Sequence, residues 1–444
     1  MRLRRSSILL LLFTTLSWAG GPKRILLIHG SVGMGHTAAA KGIAADLLTR
    51  DSTITIDIKD LRDFMSPLMR GVDNKAYDLL TQKFPWLYDQ GFRDYMETGA
   101  RASTLGNLPL GSMFNSKKVE KYIRDFNPNL IISTFPSATE VLVKLRDQGM
   151  LLNIPIGWVH TDLVDETYFA KMPLQIDMAF VGIPEIEQAW IKRGVPKDRV
   201  MTSGMPLNPK VSDPPNEAEI AKLRMVHNFD PKTLTILIMG GSNGVGDYPL
   251  MVKEVFKSFP DRDVQIIAVC GRNEKHYKDL NEMKKRLKPN QKILTTKLIL
   301  QNELFAYMNI ATGIISKTGG LTPMELFYRK KPLVFLDING GQEKYNADVF
   351  SSVGLAELTQ DQTQVGKLLK GLLEQPEKQS RQIQRQMLFC ENNCPTKIAD
   401  WVISAPQAKP MIHKTTSLLK NGDYPRPQGF FWKCSRALQK LKGL

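Results

Sequence analysis

Cysteine is scarce in this chain: four in 444 residues, at positions 270, 390, 394 and 434. Cys390 and Cys394 have three residues between them, with no second pair and no neighbouring histidines, so a zinc site is not predicted. One buried thiol at a strand end, Cys270, with the others incidental, is the expectation. No stretch approaches the roughly twenty apolar residues of a membrane-crossing helix, so the body of the chain is not predicted to span a bilayer. Acidic residues are under-represented, 44 against 60 basic ones, which leaves a formal charge of +16. Such a balance favours an acidic partner: nucleotide phosphates, an anionic membrane surface or nucleic acid. No aromatic-plus-basic RNA-binding pattern is present, so no nucleic-acid partner is expected. No G-K-[ST] follows any glycine-rich turn, which excludes a Walker loop, and no solenoid-type repeat appears. The apolar fraction of 42% is that of an ordinary globular protein long enough for two or three domains.

The N-terminus reads MRLRRSSILLLLFTTLSWAGG. Arginines, a short apolar run and Ser17-Trp18-Ala19 make residues 1–19 a signal-like or membrane-tethering segment. Beyond it, short apolar runs alternate with helical patterns. Strands are expected near 24–28, 53–57, 130–133, 154–160, 178–181 and 200–203, with a first helix over 38–48. Residues 61–115 break this rhythm. The proline-rich stretch 206–219 reads as a linker, and the same grammar then restarts, with strands near 233–239, 264–270, 292–295, 312–316 and 333–336. The expectation is an α/β chain of two doubly wound Rossmann-like domains, 22–205 and 220–385, facing a central cleft. A helix over 386–405 is expected to pack back across the domains. Residues 406–444 form a basic, aromatic tail that reads either as a solvated segment or as an interfacial anchor.

Glycine-rich turns carry the chemistry. HGSVGMGHTAAA satisfies a G-x-G-x-x-G/A dinucleotide fingerprint through Gly33, Gly35 and Ala38, with Asp57 as the acidic residue further on. A second turn, Gly240 to Gly246, follows a strand. A third, Lys317-Thr318-Gly319-Gly320, opens a helix carrying Glu325 on its first turn. Glycines let a backbone approach phosphate, and helix N-termini add donors and partial positive charge. Glu325 can hold two ribose hydroxyls or merely counter the helix dipole. Gln342, Glu343 and Asn346 enter another helix; amides and a carboxylate suit a sugar, although a polar first turn explains them as well. His36 is either a helix cap or a base. Asp261-Arg262-Asp263 superficially resembles a metal-binding D-x-D but reads as a polar turn before a strand, and no metal is expected.

Taken together, HGSVGMGHTAAAKGIAADL, His160-Thr161-Asp162-Leu163, SGMPLNP, LIMGGSNGVG, KTGGLTPMEL and GGQEKYNAD occur in one order. In that order they resemble the monogalactosyldiacylglycerol synthase and diacylglycerol glucosyltransferase family, related to MurG-type GT-B glycosyltransferases. The resemblance implies a hexose transferred from a UDP-sugar donor to a lipid acceptor, such as diacylglycerol, with inversion and no cofactor. It implies that Gly241, Ser242, Thr318, Gly319 and Gly320 approach the diphosphate, that Glu325 holds the ribose, and that Gln342, Glu343 and Asn346 serve the donor sugar. His36 would be the general base, with Gly33, Gly35 and Asp162 on the acceptor side. Trp86, Tyr88, Phe92 and Arg93 fall where relatives carry a membrane- and acceptor-contacting insertion, so peripheral membrane association is expected. Met34 replaces a usual glycine, Thr318 a usual proline, and Glu166 and Phe169 stand where relatives place histidine and tryptophan. An NAD(P)-dependent oxidoreductase and a catalytically inactive nucleotide- or lipid-binding GT-B protein are the alternatives.

Overall fold

Arg24–His29 (β1) is apolar on both faces, and that pattern places it inside a parallel sheet. Its side chains alternate between two cores: Leu26 and Ile28 enter one, Ile25 and Leu27 the other. The computed structural model describes residues 23–31, 34–66, 90, 115–165, 169–338, 340–392, 396–404 and 408–409. The first half continues with Gly35–Arg50 (α1), Thr55–Asp60 (β2), Ser116–Phe126 (α2), Leu130–Ser133 (β3), Pro136–Asp147 (α3), Ile156–Val159 (β4), Met178–Val181 (β5), Pro184–Lys192 (α4) and Val200–Thr202 (β6). Its six strands are all parallel, in the order β2-β1-β3-β4-β5-β6.

The second half begins with Glu217–Val226 (α5), capped by Asn216. It runs through Leu234–Met239 (β7), Tyr248–Ser258 (α6), Val264–Val269 (β8), Glu274–Lys284 (α7), Gln291–Thr296 (β9), Gln301–Ile310 (α8), Gly313–Lys317 (β10), Thr322–Tyr328 (α9), Leu333–Leu336 (β11), Gln342–Ser352 (α10), Glu357–Thr359 (β12) and Val365–Glu374 (α11). Its sheet is also six-stranded and parallel, ordered β12-β11-β10-β7-β8-β9. The architecture is two doubly wound sheets, as the alternation of strands and helices predicts. The short edge strand β12 escapes sequence reading because it is three residues long and only half-buried. Cys270, just beyond β8, is fully buried, and residues 261–263 form a turn before β8.

The chain then crosses back. Pro376–Asn392 (α12) lies against α9 in the second half, and Thr396–Ile403 (α13) packs on α1 in the first. Ile398, Ala399, Trp401 and Val402 complete the core that holds Ile25 and Leu27. The Trp401 ring meets Phe180 edge-on at 5.5 Å between centroids. On the other face, a single apolar cluster includes residues of both sheets, from Leu26 and Trp158 to Leu237 and Phe335. At the crossover between halves, α1 comes so close to Pro206 and Leu207 that a Cβ on Gly42 would sit 2.8–2.9 Å from their backbone atoms.

Trp401→Ala removes the largest side chain of this return tie and is expected to lower unfolding free energy by roughly 3 kcal/mol. Urea denaturation measures it; a loss below about 0.5 kcal/mol would mean that α13 does not hold the first half.

Candidate active site at the facing sheet edges

In open parallel sheets, ligands lie beyond the carboxyl ends of the strands, where strand order reverses. In the second sheet that point is between β7 and β10, and in the first between β1 and β3. The glycine-rich turn 240–246 follows β7 and the turn 318–320 follows β10. The loop into α1 follows β1, and Thr134–Phe135 follows β3. The two carboxyl edges face each other: Asn346 of α10 bonds to Leu163 N and Asp162 Oδ1 beyond β4.

His36 sits on the first turn of α1, half-buried. Its Nδ1 lies 2.6 Å from the Thr134 carbonyl oxygen. A carbonyl can only accept, so Nδ1 carries the proton and Nε2 keeps its lone pair. Thr134 returns the contact by donating from Oγ1 to the His36 carbonyl at 2.8 Å. Thr161 Oγ1 lies 3.1 Å from the same Nδ1, and the Phe135 ring stands 5.0 Å from the imidazole. Burial lowers the His36 pKa below 6.5, against the opposing pull of Asp162. The imidazole is therefore neutral at pH 7, with one nitrogen anchored and the other basic. As a helix cap it is not needed: Met34 is the N-cap residue, and its side chain reaches Arg272 of the other half, Sδ to Nη2 3.6 Å.

On the opposite edge, Lys317 stands between the two glycine turns. A Cβ on Gly241, whose φ is +70°, would collide with Lys317 Cε at 2.6 Å. A Cβ on Gly319 would lie 3.7 Å from Lys317 Nζ. The ammonium pairs with Glu343 at the start of α10, while Thr318 Oγ1 donates to the Glu343 carbonyl at 2.9 Å. Gly241, Ser242, Thr318, Gly319, Gln342 and Glu343 thus belong to adjoining turns around one cation. Gly320 adjoins them at the seam, where a Cβ would sit 2.2 Å from the Thr161 carbonyl oxygen. Asn346 is fully buried, with its amide directed to protein groups of both halves.

Glu325 lies on α9 behind this turn and is 6% exposed. Burial pushes its carboxyl up to about 7, only partly offset by a hydrogen bond from Gln301 and by Arg329. Gln301 Nε2 donates to Glu325 Oε1 at 2.6 Å, and Gln301 Oε1 accepts from Asn208 in the linker at 3.0 Å.

Several predicted residues are not joined to this site. Gly33, Trp86, Tyr88, Phe92 and Arg93 lie outside the described residues, as do Glu166 and the segments 1–22 and 410–444. Gly35 opens α1, where a Cβ would meet no atom within 4 Å. Asp57 does not occupy the place a dinucleotide needs: it is mid-strand in β2, and accepts from the Tyr122 hydroxyl. The sequence motifs assign no role of their own to Lys317, Thr134, Thr161 or Gln301. Lys317 was legible in principle, as a cation at a strand's carboxyl end before a Gly-Gly turn; the other three depend on contacts between distant segments. Among the described residues, no three His, Cys, Asp or Glu side chains gather closely enough to hold a metal ion.

Two facing Rossmann-like domains with the site between them define a GT-B architecture. Solved structures of similar fold include MurG of Acinetobacter baumannii (TM-score 0.54, 16% identity, covering 86% of this chain and 100% of that one). The calicheamicin glycosyltransferase CalG4 also matches, at TM-score 0.52 and 14% identity over 87% and 98%. A putative UDP-N-acetylglucosamine 2-epimerase from Listeria monocytogenes matches at 0.57 and 10% over 87% and 96%, so the fold alone does not select a reaction. The sequence does. Residues 36–207 match the monogalactosyldiacylglycerol (MGDG) synthase family, and residues 235–392 match the glycosyltransferase family 28 C-terminal domain. Each half thus matches a domain of this MGDG synthase-type group of glycosyltransferases. It is 28% identical over 341 residues to a processive diacylglycerol beta-glucosyltransferase of Staphylococcus carnosus, covering 76% of this chain and 81% of that protein. It is 24% identical over 359 residues to a probable chloroplastic monogalactosyldiacylglycerol synthase of Glycine max, covering 78% and 64%.

The raised Glu325 pKa links to stability. Between the ordinary value of 4.5 and about 7, the folded protein keeps a proton that the unfolded chain has released. That stabilisation is full below pH 4.5 and disappears as pH rises through 7. Glu325→Gln, which stays neutral, should therefore be more stable than the wild type at pH 8 by on the order of 2–3 kcal/mol, and no more stable at pH 4. Denaturant titrations at the two pH values measure this; equal differences at both would refute the buried, proton-holding carboxyl.

Proposed function

We propose that this protein transfers a hexose from a UDP-sugar to the hydroxyl of diacylglycerol, with inversion at the anomeric carbon. The observation that carries the reading is His36: one nitrogen is held by the Thr134 carbonyl, which leaves the lone pair on the other. Direct displacement requires a base for the acceptor proton and positive charge for the departing diphosphate. A neutral histidine meets the first need. Lys317, the backbone at Gly241, Ser242, Thr318 and Gly319, and the N-terminus of α9 meet the second. The Glu325 carboxyl bonds the ribose, while Gln342 and Glu343 recognise the sugar. Glu343 moves from Lys317 to sugar hydroxyls as the diphosphate takes over the ammonium. Both relatives named above act on diacylglycerol or make its galactolipid by name, which supports the acceptor class.

Net charge of +16 suits peripheral binding to an anionic bilayer. Among the described residues, no helix is long and apolar enough to cross one.

The deciding assay supplies UDP-glucose or UDP-galactose with diacylglycerol in anionic vesicles and identifies the lipid product by mass spectrometry. A β-glycosyl diacylglycerol is expected. No product from either donor, with no UDP-induced rise in Tm, would overturn the proposal. His36→Ala should lower kcat at least about 100-fold while leaving UDP affinity within about threefold; unchanged turnover removes His36 as the base. In the wild type, the acid limb of kcat/KM should fall below pH 6.5, since burial lowers the imidazole.

Lys317→Met should weaken UDP binding by about tenfold or more, and its affinity should lose part of its salt dependence. Calorimetric titration at two ionic strengths measures both; wild-type affinity would place the diphosphate elsewhere.

A further inference from the structure

Asn346 has no exposed surface, yet its amide meets atoms of both halves. Its Oδ1 accepts from Leu163 N at 2.8 Å, and its Nδ2 donates to Asp162 Oδ1 at 3.2 Å, both in the first half. The same Nδ2 lies 3.2 Å from the Thr318 carbonyl oxygen in the second half. We propose that Asn346 is a closure latch and a positioning residue: it fixes the loop carrying Thr161 and Asp162 against the turn 318–320, and so holds His36 in register with the donor side of the cleft.

The chemistry of the amide fits this role closely. One acceptor is needed for the Leu163 N–H, and donors are needed for a carboxylate and a carbonyl. Asparagine supplies both from one planar group. The rotated amide would oppose two acceptors with an oxygen and an N–H with an amino group, so the orientation is determined. Aspartate has no donor, and alanine would leave a buried N–H without its acceptor. A second observation marks the same seam. A Cβ on Gly320 would sit 2.2 Å from the Thr161 carbonyl oxygen and 3.4 Å from Asp162 Oδ1. The backbones of the two halves therefore approach there as closely as a glycine allows.

The link to the base is short. Thr161 Oγ1 is 3.1 Å from His36 Nδ1, and Asp162 acts electrostatically on the same ring. Releasing the latch frees Thr161 and Asp162 beside the imidazole while leaving the 240–246 turn at the end of β7 and Lys317 on β10. Asn346 thereby differs from Gln342 and Glu343 at the start of the same helix: it joins the halves, and the sugar is left to them.

The latch rests on contacts already described; its catalytic consequence rests on the transferase reading. The full-length protein and its Asn346→Ala, Asn346→Asp, Asp162→Asn, Asn346→Asp/Asp162→Asn and Gly320→Ala variants are compared in two measurements. In hydrogen–deuterium exchange, the Leu163 amide should exchange at least about tenfold faster in Asn346→Ala, with β7 and β8 amides unchanged. Gly320→Ala, which acts by collision, should give the same local signature, and serves as the probe if Asn346→Ala fails to fold. In the assay, Asn346→Asp should lose at least about tenfold in kcat with UDP affinity within about threefold, and adding Asp162→Asn should restore part of kcat by supplying the missing donor. An unchanged Leu163 amide in both Asn346→Ala and Gly320→Ala overturns the latch. So does a double variant whose loss is the product of the two single losses. If the wild type transfers no sugar, the exchange data alone decide the latch, and the transferase reading falls separately.

Discussion

The cleft depends on polar backbone being satisfied where the carboxyl edges of two parallel sheets meet. Strand ends leave N–H and C=O groups without ladder partners, and burying them unpaired costs on the order of 1–3 kcal/mol each. At this seam the buried Asn346 amide serves Leu163 and Asp162 on one side and Thr318 on the other. The neighbouring Gly320 lets the Thr161 carbonyl approach without a side chain between them. His36, Thr161, the 318–320 turn and α10 derive their mutual placement from that seam.

Desolvation then sets the protonation states around it. Burial lowers His36 and raises Glu325 to about 7, so both groups are driven toward their neutral forms. For His36 this favours the neutral ring: the Thr134 carbonyl accepts the Nδ1–H hydrogen bond, which leaves Nε2 unprotonated. For Glu325 it creates a carboxyl that gains acceptor strength as pH rises past neutrality, held in place by Gln301 and, through it, by Asn208 of the linker. Lys317 remains paired with Glu343 between the two glycine turns. A cation held by an exchangeable partner can receive an anionic ligand without a bare buried charge in the empty site.

The same fold serves MurG, a glycosyltransferase of calicheamicin and a putative epimerase at comparable structural similarity. What separates reactions on such a scaffold is the handful of residues at the facing edges. Here the MGDG synthase family match begins at His36 itself, and the second match spans the turns that carry Lys317 and Glu343. The family matches and the local geometry thus rest on the same segments.

Much of this was legible in the residues alone. The continuous apolar run of RILLIH, the restart of the pattern after the prolines of 206–219, and glycines after strand ends follow from local chemistry, so both sheets and the approximate places of nearly all strands could be read. His36, Glu325 and Glu343 were likewise visible as polar groups on first helical turns. Other features were not visible, because they join positions far apart in the chain. The fingerprint HGSVGMGHTAAA places Asp57 at a permissible spacing, and only the sheet shows it mid-strand under Tyr122. Asn346 reads in sequence as one more amide on a sugar-binding helix. Only the packing of two halves, 183 residues apart at the Leu163 contact, turns that amide inward to join them. Sequence determined which groups stand at the ends of strands and helices, since that depends on near neighbours. Tertiary structure decided which of them face a ligand and which face each other, since that depends on how two separately folded sheets meet.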